Sequence, residues 1–238
     1  LIVDRKDEVM SLFAISDPHL SLGCNKPMDI FRGWQDYVKR LEENWYKLVG
    51  PEDTVVIPGD ISWGMTLEEA KPDLAFLNSL PGTKLIGKGN HDYWWATRRK
   101  MDAFLEENGF TTLRILFNDA YAVGDVTVCG TRGWFYDAEK DEDKKVLNRE
   151  IGRLNLSVDA AEKIGGEPIA FLHYPPVYAG MVCEEMMSAL KARGIKRVYY
   201  GHIHGEGVRR AVNGYYDGID MRLISCDFTG FAPVFIES

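Results

Sequence analysis

The chain has 238 residues, 45% hydrophobic and 27% charged, and a formal net charge of -8. These proportions suit a globular protein with one substantial core, and no apolar run reaches the roughly 20 residues of a membrane-spanning helix. The acidic balance argues against a broad footprint for nucleic acid, which depends on many lysine and arginine contacts with phosphate, while leaving room for a local basic groove.

Leu1-Ile2-Val3 is too short for the apolar core of a signal peptide, so the expected location is the cytoplasm. Cys24, Cys129, Cys183 and Cys226 lack the paired spacing of a zinc knuckle or redox motif and read as reduced thiols. Residues 1–238 read as a single domain.

Residues 11–16 form a continuously apolar first strand, as expected when both faces are covered. It leads into Asp17 and His19, two apart across Pro18 and so on one side of an extended backbone. Phe31, Trp34, Val38, Leu41, Trp45 and Leu48 recur at spacings of three and four, which predicts an amphipathic helix ended by Gly50-Pro51. A second strand, 54–58, delivers Asp60. Thr66 followed by Glu69 predicts a capping box, with Leu67, Ala70, Leu74 and Leu77 as the buried stripe of the helix it opens. After Pro81-Gly82 a third strand runs through Leu85-Ile86-Gly87 into Lys88-Gly89-Asn90-His91-Asp92. A helix is expected at 97–107, capped by Asn108-Gly109.

Residues 113–129 break into short strands with a hairpin at Gly124-Asp125. The charged stretch 137–145 reads as a solvated loop and helix start. Leu147, Ile151, Leu154, Val158 and Ala161 mark a long helix closed by Gly165-Gly166. A strand to His173, a helix at 184–193 stopped by Gly194, and a strand to Gly201-His202-Ile203-His204 follow. Runs at 208–212, 221–226 and 233–236, with Asn213-Gly214 and Asp217-Gly218 between them, predict antiparallel strands at the end. Alternating strands and helices followed by hairpins describe a layered α/β fold with mixed sheets, in which ligands gather beyond the carboxyl ends of strands.

All five histidines lie at such ends. Asp17, His19, Asp60, Asn90, His173, His202 and His204 are mixed oxygen and nitrogen donors without a thiolate, a set suited to Mn, Fe or Zn rather than to Ca alone. They exceed one tetrahedral site and suffice for two ions sharing a carboxylate. Each alone is an ordinary turn former or satisfied histidine. That reading fails for the set.

The blocks Asp-x-His, Gly-Asp, Gly-Asn-His-Asp, a lone His and Gly-His-x-His, complete and in this order from Asp17 to His204, resemble the calcineurin-like metallophosphoesterases. The resemblance implies an α/β/β/α sandwich of two mixed sheets flanked by helices, and a dinuclear metal-dependent hydrolase of phosphomonoesters or phosphodiesters. It implies that Asp17, His19, Asp60 and His204 hold one ion and Asp60, Asn90, His173 and His202 the other. Asp60 would be the bridge, and a hydroxide shared by ions about 3.5 to 4 Å apart would attack phosphorus. His91 is implied to contact the phosphoryl group and protonate the leaving oxygen, with Asp92 orienting His91. Purple acid phosphatases, one branch of the family, carry a tyrosine ligand three residues after the bridging Asp. Here Trp63 takes that place, so a ferric-tyrosinate centre is not expected.

Trp63, Tyr93, Trp94, Trp95, Trp134, Tyr174 and Tyr178 flank the motifs and offer either pocket walls for an aromatic or lipid group or core packing. Arg98, Arg99 and above all Arg132 are candidates to clamp a phosphate, the alternative being solvated or carboxylate-paired side chains. The expected partner is a phosphorylated small molecule. A nuclease of the same family is the alternative chemistry, and a non-catalytic scaffold the alternative class, although scaffold relatives have lost ligands that this chain retains. The oligomeric state and leaving group are not legible.

Overall fold

The computed structural model describes residues 10–134 and 141–238. Leu1-Ile2-Val3 and the first part of the 137–145 stretch lie outside the described residues. In chain order the elements are β1 (Leu12–Ala14), α1 (Tyr37–Leu48), β2 (Thr54–Ile57), α2 (Leu67–Ser79), β3 (Thr83–Ile86), α3 (Arg98–Glu107) and β4 (Leu113–Ile115). There follow β5 (Tyr121–Val123), β6 (Val126–Thr131), α4 (Asp141–Ile164), β7 (Glu167–Leu172), β8 (Val177–Tyr178), β9 (Met181–Val182), α5 (Glu184–Ala192) and β10 (Arg197–Tyr200). A 3-10 helix (Gly205–Arg210), β11 (Gly214–Tyr216), β12 (Ile219–Leu223) and β13 (Val234–Glu237) complete the chain.

The strands form two mixed sheets, β13-β1-β2-β3-β4 and β11-β12-β10-β7-β6-β5, with β8 and β9 paired in a separate small hairpin. In the first sheet β1 to β4 run parallel and β13 antiparallel. In the second β12, β10, β7 and β6 run parallel, with antiparallel β11 and β5 at the edges. Alternate residues of each strand face different cores. Leu12, Ala14, Val56 and Leu85 pack between the sheets against Ile169, Phe171 and Tyr199. Phe13, Val55, Ile57 and Ile86 face α1, α2 and α3, and Ala170, Leu172, Val198 and Tyr200 face α4 and α5. Both faces of each sheet are therefore covered, which is why the strands read as unbroken apolar runs. This is the expected α/β/β/α sandwich.

The long α4 and its Gly165-Gly166 stop, both glycines with positive φ, match the sequence reading. Thr66 caps α2 by accepting from the Glu69 backbone N–H, as read, but the Glu69 carboxylate accepts from Met65, one residue before the cap. Three expectations are corrected. The first helix does not reach back to Phe31 and Trp34. It starts at Tyr37, because Gly33 and Asp36 take positive φ and fold the preceding segment into turns held by Asp29 and Arg40. Its buried face is Tyr37, Leu41 and Trp45. The run 208–212 is not a strand: most of it lies in the 3-10 helix, and only Ala211 makes a bridge, to Tyr178. Finally, β12 is antiparallel to β11 across the Asp217-Gly218 turn but parallel to β10, so its end points the same way as those of the other central strands.

One buried acid fixes the approach to these strand ends. Asp73 on α2 accepts from the Leu22 backbone N–H at 2.7 Å and from the Ser62 hydroxyl, tying the loops after β1 and β2 to the helix layer. Burial pushes its carboxyl up to about 6, against the hydrogen bonds from Ser62 and Leu22. Because that value lies above the unfolded one, the native state gains from holding this proton at low pH, and the gain is lost as pH rises through about 6. In urea unfolding of wild type and Asp73→Asn, the stability difference should move in the variant's favour by about 1 kcal/mol between pH 5 and 7.5. A constant difference would show that Asp73 does not titrate there.

Candidate metal centre

Ladder bonds continue past the strands and bring their ends together. Asp17 N–H donates to Gly59 O at 3.1 Å and His19 N–H to Asp60 O at 3.0 Å, zipping the loop after β1 to that after β2. On its other side the Ser16 N–H donates to Ile224 O at 2.8 Å and the Ser16 carbonyl accepts from Cys226 N–H at 2.9 Å, joining β1 to the second sheet. Asp17 thus sits where the two sheets meet. The backbone is left-handed at Asp17 (φ 59°), His19 (45°), Asp60 (51°) and His202 (71°). Such conformations cost of order 1 kcal/mol or more each in non-glycine residues and persist only where surrounding bonds over-determine them.

Two groups of donors converge: Asp17, His19 and His204, and Asp60, His173 and His202, with one donor atom from each residue lying within 4.8 Å of the others in its group. Asp60 lies between them. Its Oδ2 is 3.6 Å from His19 Nε2 and 3.5 Å from His173 Nε2, while its Oδ1 accepts from the His91 backbone N–H at 2.7 Å. His173 also places Nδ1 3.5 Å from Asp17 Oδ1 and Nε2 2.7 Å from Asn90 Oδ1. His204 Nε2 is 3.7 Å from Asp17 Oδ1. All seven donors named from the sequence therefore lie in one cluster.

The charges there are unbalanced. Asp17, Asp60 and Asp92 are buried, and none forms an ion pair with lysine or arginine among the described residues. Burial, then the charges of Asp92 and Asp17, pushes the Asp60 carboxyl well up. Burial drives His173 well below its usual range and His202 down to about 4. Burial, followed by the neighbouring His204, takes His19 down to about 3. Burial opposes the charge of His204 as well, but Asp17 and Asp227 outweigh it and raise that imidazole to about 10. His19 Nδ1, His173 Nδ1 and His204 Nε2 are buried without a hydrogen-bond partner. The neutral imidazoles of His19, His173 and His202, set among buried carboxylates that have no lysine or arginine beside them, fit a pair of cations, since either set alone is costly to bury.

The model of the calcineurin-like phosphoesterase family matches residues 10–206. The chain belongs to that family. No curated protein matches the sequence at a significant level. Among solved structures, a protein of unknown function from Aquifex aeolicus is 17% identical, with 95% of each chain covered and a TM-score of 0.50. A phosphopantetheinyl hydrolase from Mycobacterium tuberculosis is 13% identical, again with 95% of each chain covered and a TM-score of 0.58. These similarities concern the fold.

In this family member Asp92 does not meet His91. Its carboxylate is buried and accepts five bonds: Asp60 N–H at 2.9 Å and Gly89 N–H at 2.7 Å on Oδ2, Ile61 N–H at 2.9 Å, Ser62 N–H at 3.3 Å and the Trp94 indole at 3.0 Å on Oδ1. The acceptor capacity is used up on backbone and the Trp94 indole, and His91 Nδ1 has no hydrogen-bond partner. The expectation that Asp92 orients the imidazole is therefore corrected: it clamps the loops after β2 and β3. Two glycines of the motifs exist for the same close packing. A Cβ on Gly89 would stand 2.1 Å from Asp60 Oδ1, and one on Gly201 2.3 Å from Asp17 Oδ2.

The sequence reading missed two residues that hold ligands in place. Asp227 Oδ1 is 2.8 Å from His204 Nδ1, and its Oδ2 accepts from Gly205 N–H. This leaves His204 Nε2 facing Asp17, a pairing of carboxylate and imidazole that commonly orients metal-binding histidines. Asp227 follows the run 221–226, the same apolar run ending in an acid that marks Asp17 and Asp60, and that signal was available. Ser225 Oγ donates to Asp17 Oδ2 at 2.8 Å, for which nothing in the sequence is distinctive.

The cluster opens into a pocket of about 520 Å³ lined by His19, His91 and His204 together with Met28, Phe31, Trp34 and Trp63. The His91 ring lies 4.4 Å from that of Trp63 and 5.7 Å from that of His19. Burial lowers its proton affinity. Of the flanking aromatics only Trp63 lines this mouth. Trp94 is buried against Asp92, and Tyr174 is buried 4.4 Å from the His202 ring. Arg98 is paired with Asp102 and Asp119, and Arg99 is exposed on α3, so neither reaches this pocket. Arg132 lies over Trp134 at 4.8 Å and 3.4 Å from Glu150; its carbonyl, accepting from His173 N–H at 3.1 Å, helps to place that ligand.

Asp92→Asn should turn an amide donor toward backbone N–H groups, costing about 2 to 4 kcal/mol of stability and disordering the metal centre. Thermal unfolding and elemental analysis check both losses together. Asp227→Ala should instead keep the fold while weakening metal affinity about 10- to 100-fold, measured by calorimetric titration.

Proposed function

We propose that the protein is a metal-dependent phosphoric ester hydrolase. The observation that carries this reading is the position of Asp60, a buried carboxylate between two donor triads and within reach of histidines from both sheets. In this reading Asp17, His19, Asp60 and His204 hold one cation, and Asp60, Asn90, His173 and His202 the other. Bound there, two such cations neutralise phosphoryl oxygens and acidify the attacking water, and the donor chemistry suits Mn, Fe or Zn.

The remaining work falls to the chain itself. His91 stands at the pocket mouth without touching the carboxylates through its side chain, and its backbone N–H anchors Asp60. A phosphoryl group arriving with negative charge raises the proton affinity that burial lowers, so the imidazole can hold a proton and pass it to the leaving oxygen. Asn90 Oδ1, fixed at 2.7 Å from His173, faces the same centre. Because His91 packs against Trp63, the leaving group departs along the aromatic wall formed with Phe31 and Trp34. Both monoesters and diesters remain within this geometry, and a small phosphorylated molecule is the substrate class it favours.

The test is hydrolysis of p-nitrophenyl phosphate and its bis ester by metal-loaded protein, with loss of activity on chelation and recovery on re-addition of metal. His91→Ala should lower kcat by about 10²- to 10⁴-fold at near-normal metal content, whereas Asp60→Ala should lose metal and activity together. No turnover of either ester by fully loaded protein would favour a non-catalytic scaffold. An emptied centre in His91→Ala would remove the acid assignment.

A further inference from the structure

Beside the metal centre, and sharing no lining residue with the aromatic mouth, Lys88, Arg98, Lys100, Arg132, Arg149 and Arg153 line a single groove of about 710 Å³. This is an unexpected concentration of cations in a chain whose formal net charge is -8. Elsewhere some exposed cations pair with acids, as Lys191 does with Asp217, and others, such as Lys47 and Lys71, stand singly among the described residues, but none of these is gathered with five more in one concavity.

In the groove only half are balanced. Arg132 and Arg153 reach the buried carboxylate of Glu150 at 3.4 and 2.6 Å, and Arg98 is paired with Asp102 and Asp119. Lys88, Lys100 and Arg149 have no hydrogen bond or ion pair among the described residues. Lys88 is half-buried beside Arg132 and Arg153. Like charges gathered in a concave, partly desolvated wall repel unless an anion lies among them.

The groove adjoins the site directly. Lys88 is two residues before Asn90 in the loop after β3, and the Arg132 carbonyl accepts from the backbone N–H groups of His173 at 3.1 Å and Tyr174 at 2.8 Å. Trp95 and Phe117 add apolar surface to its wall.

We propose that the groove is an anion site for a small compound carrying two or more phosphate groups, which rest on Lys88, Lys100 and Arg149. Its use as a substrate subsite, holding phosphates beyond the scissile one, rests on the hydrolysis proposed above. The binding itself does not. A small ligand is favoured over a nucleic-acid strand because three unpartnered cations are few and the acidic remainder of the chain repels a long polyanion. The volume also falls in the small-molecule range of about 300 to 1,000 Å³.

The experiment is calorimetric titration of the metal-free full chain with sodium tripolyphosphate at low and physiological ionic strength. Binding should be measurable at low salt and weaken as salt screens the groove. Lys100→Glu combined with Arg149→Glu, both on exposed helix positions, should weaken it at least about tenfold with an unchanged thermal midpoint, while Lys100→Arg with Arg149→Lys should retain it. The proposal is overturned by absence of binding, by equal affinity in the charge-reversed variant, or by an oligonucleotide binding more tightly than tripolyphosphate. Lost binding with ester hydrolysis intact removes the groove alone. Binding without hydrolysis supports the groove and removes only the catalytic reading.

Discussion

Everything at the carboxyl edge of the two sheets depends on how buried carboxylates are held without a lysine or arginine beside them. Asp92 solves this locally: its five acceptor bonds come from backbone and an indole, so its negative charge is stabilised by dipoles and takes no part in binding. Asp17 and Asp60 are only partly served in that way. Asp17 accepts from His202 N–H at 3.0 and 2.9 Å and from Ser225, and Asp60 accepts from His91 N–H. Lone pairs on both remain directed at histidine nitrogens 3.5 to 3.7 Å away, too long for hydrogen bonds and suited to an atom in between.

The same bonds explain why strained backbone survives there. Asp17, Asp60 and His202 each take left-handed φ while their neighbours are zipped to a second loop. Releasing one residue would free a buried carboxylate or imidazole, so the strain is locked in by the charges it organises. The glycines before Asn90 and before His202 belong to this arrangement, since any side chain there would strike Asp60 or Asp17.

The donor set was legible because each strand is an unbroken apolar run, so a residue with metal-binding chemistry at its end stands out against the pattern. Layering followed from the same runs, buried on both faces. Other features were not legible for definite reasons. Helical spacing carried from Val38 back to Phe31, yet Gly33 and Asp36 turn the backbone, and Phe31 and Trp34 line the pocket mouth instead of a helix face. The role of Asp92 depends on which atoms fill its acceptor sites, a question of three-dimensional crowding that adjacency to His91 disguised. The parallel pairing of β12 with β10 was hidden by its hairpin with β11.

The two sides of the site differ in kind. One is largely aromatic and holds His91; the other is cationic and begins within two residues of Asn90. On the proposed reading, a phosphate ester over Asp60 would meet a largely aromatic wall at Trp63 and a cationic one at Lys88. A symmetric substrate would leave one wall unsatisfied. On the same proposal, a compound with its phosphates in the groove and its apolar part against Trp34 and Trp63 would present the leaving oxygen to His91, whereas the reverse orientation would bury charge against indole rings and leave the cations bare. Orientation of such a substrate would then follow from electrostatics and desolvation, before any specific hydrogen bond to it is considered.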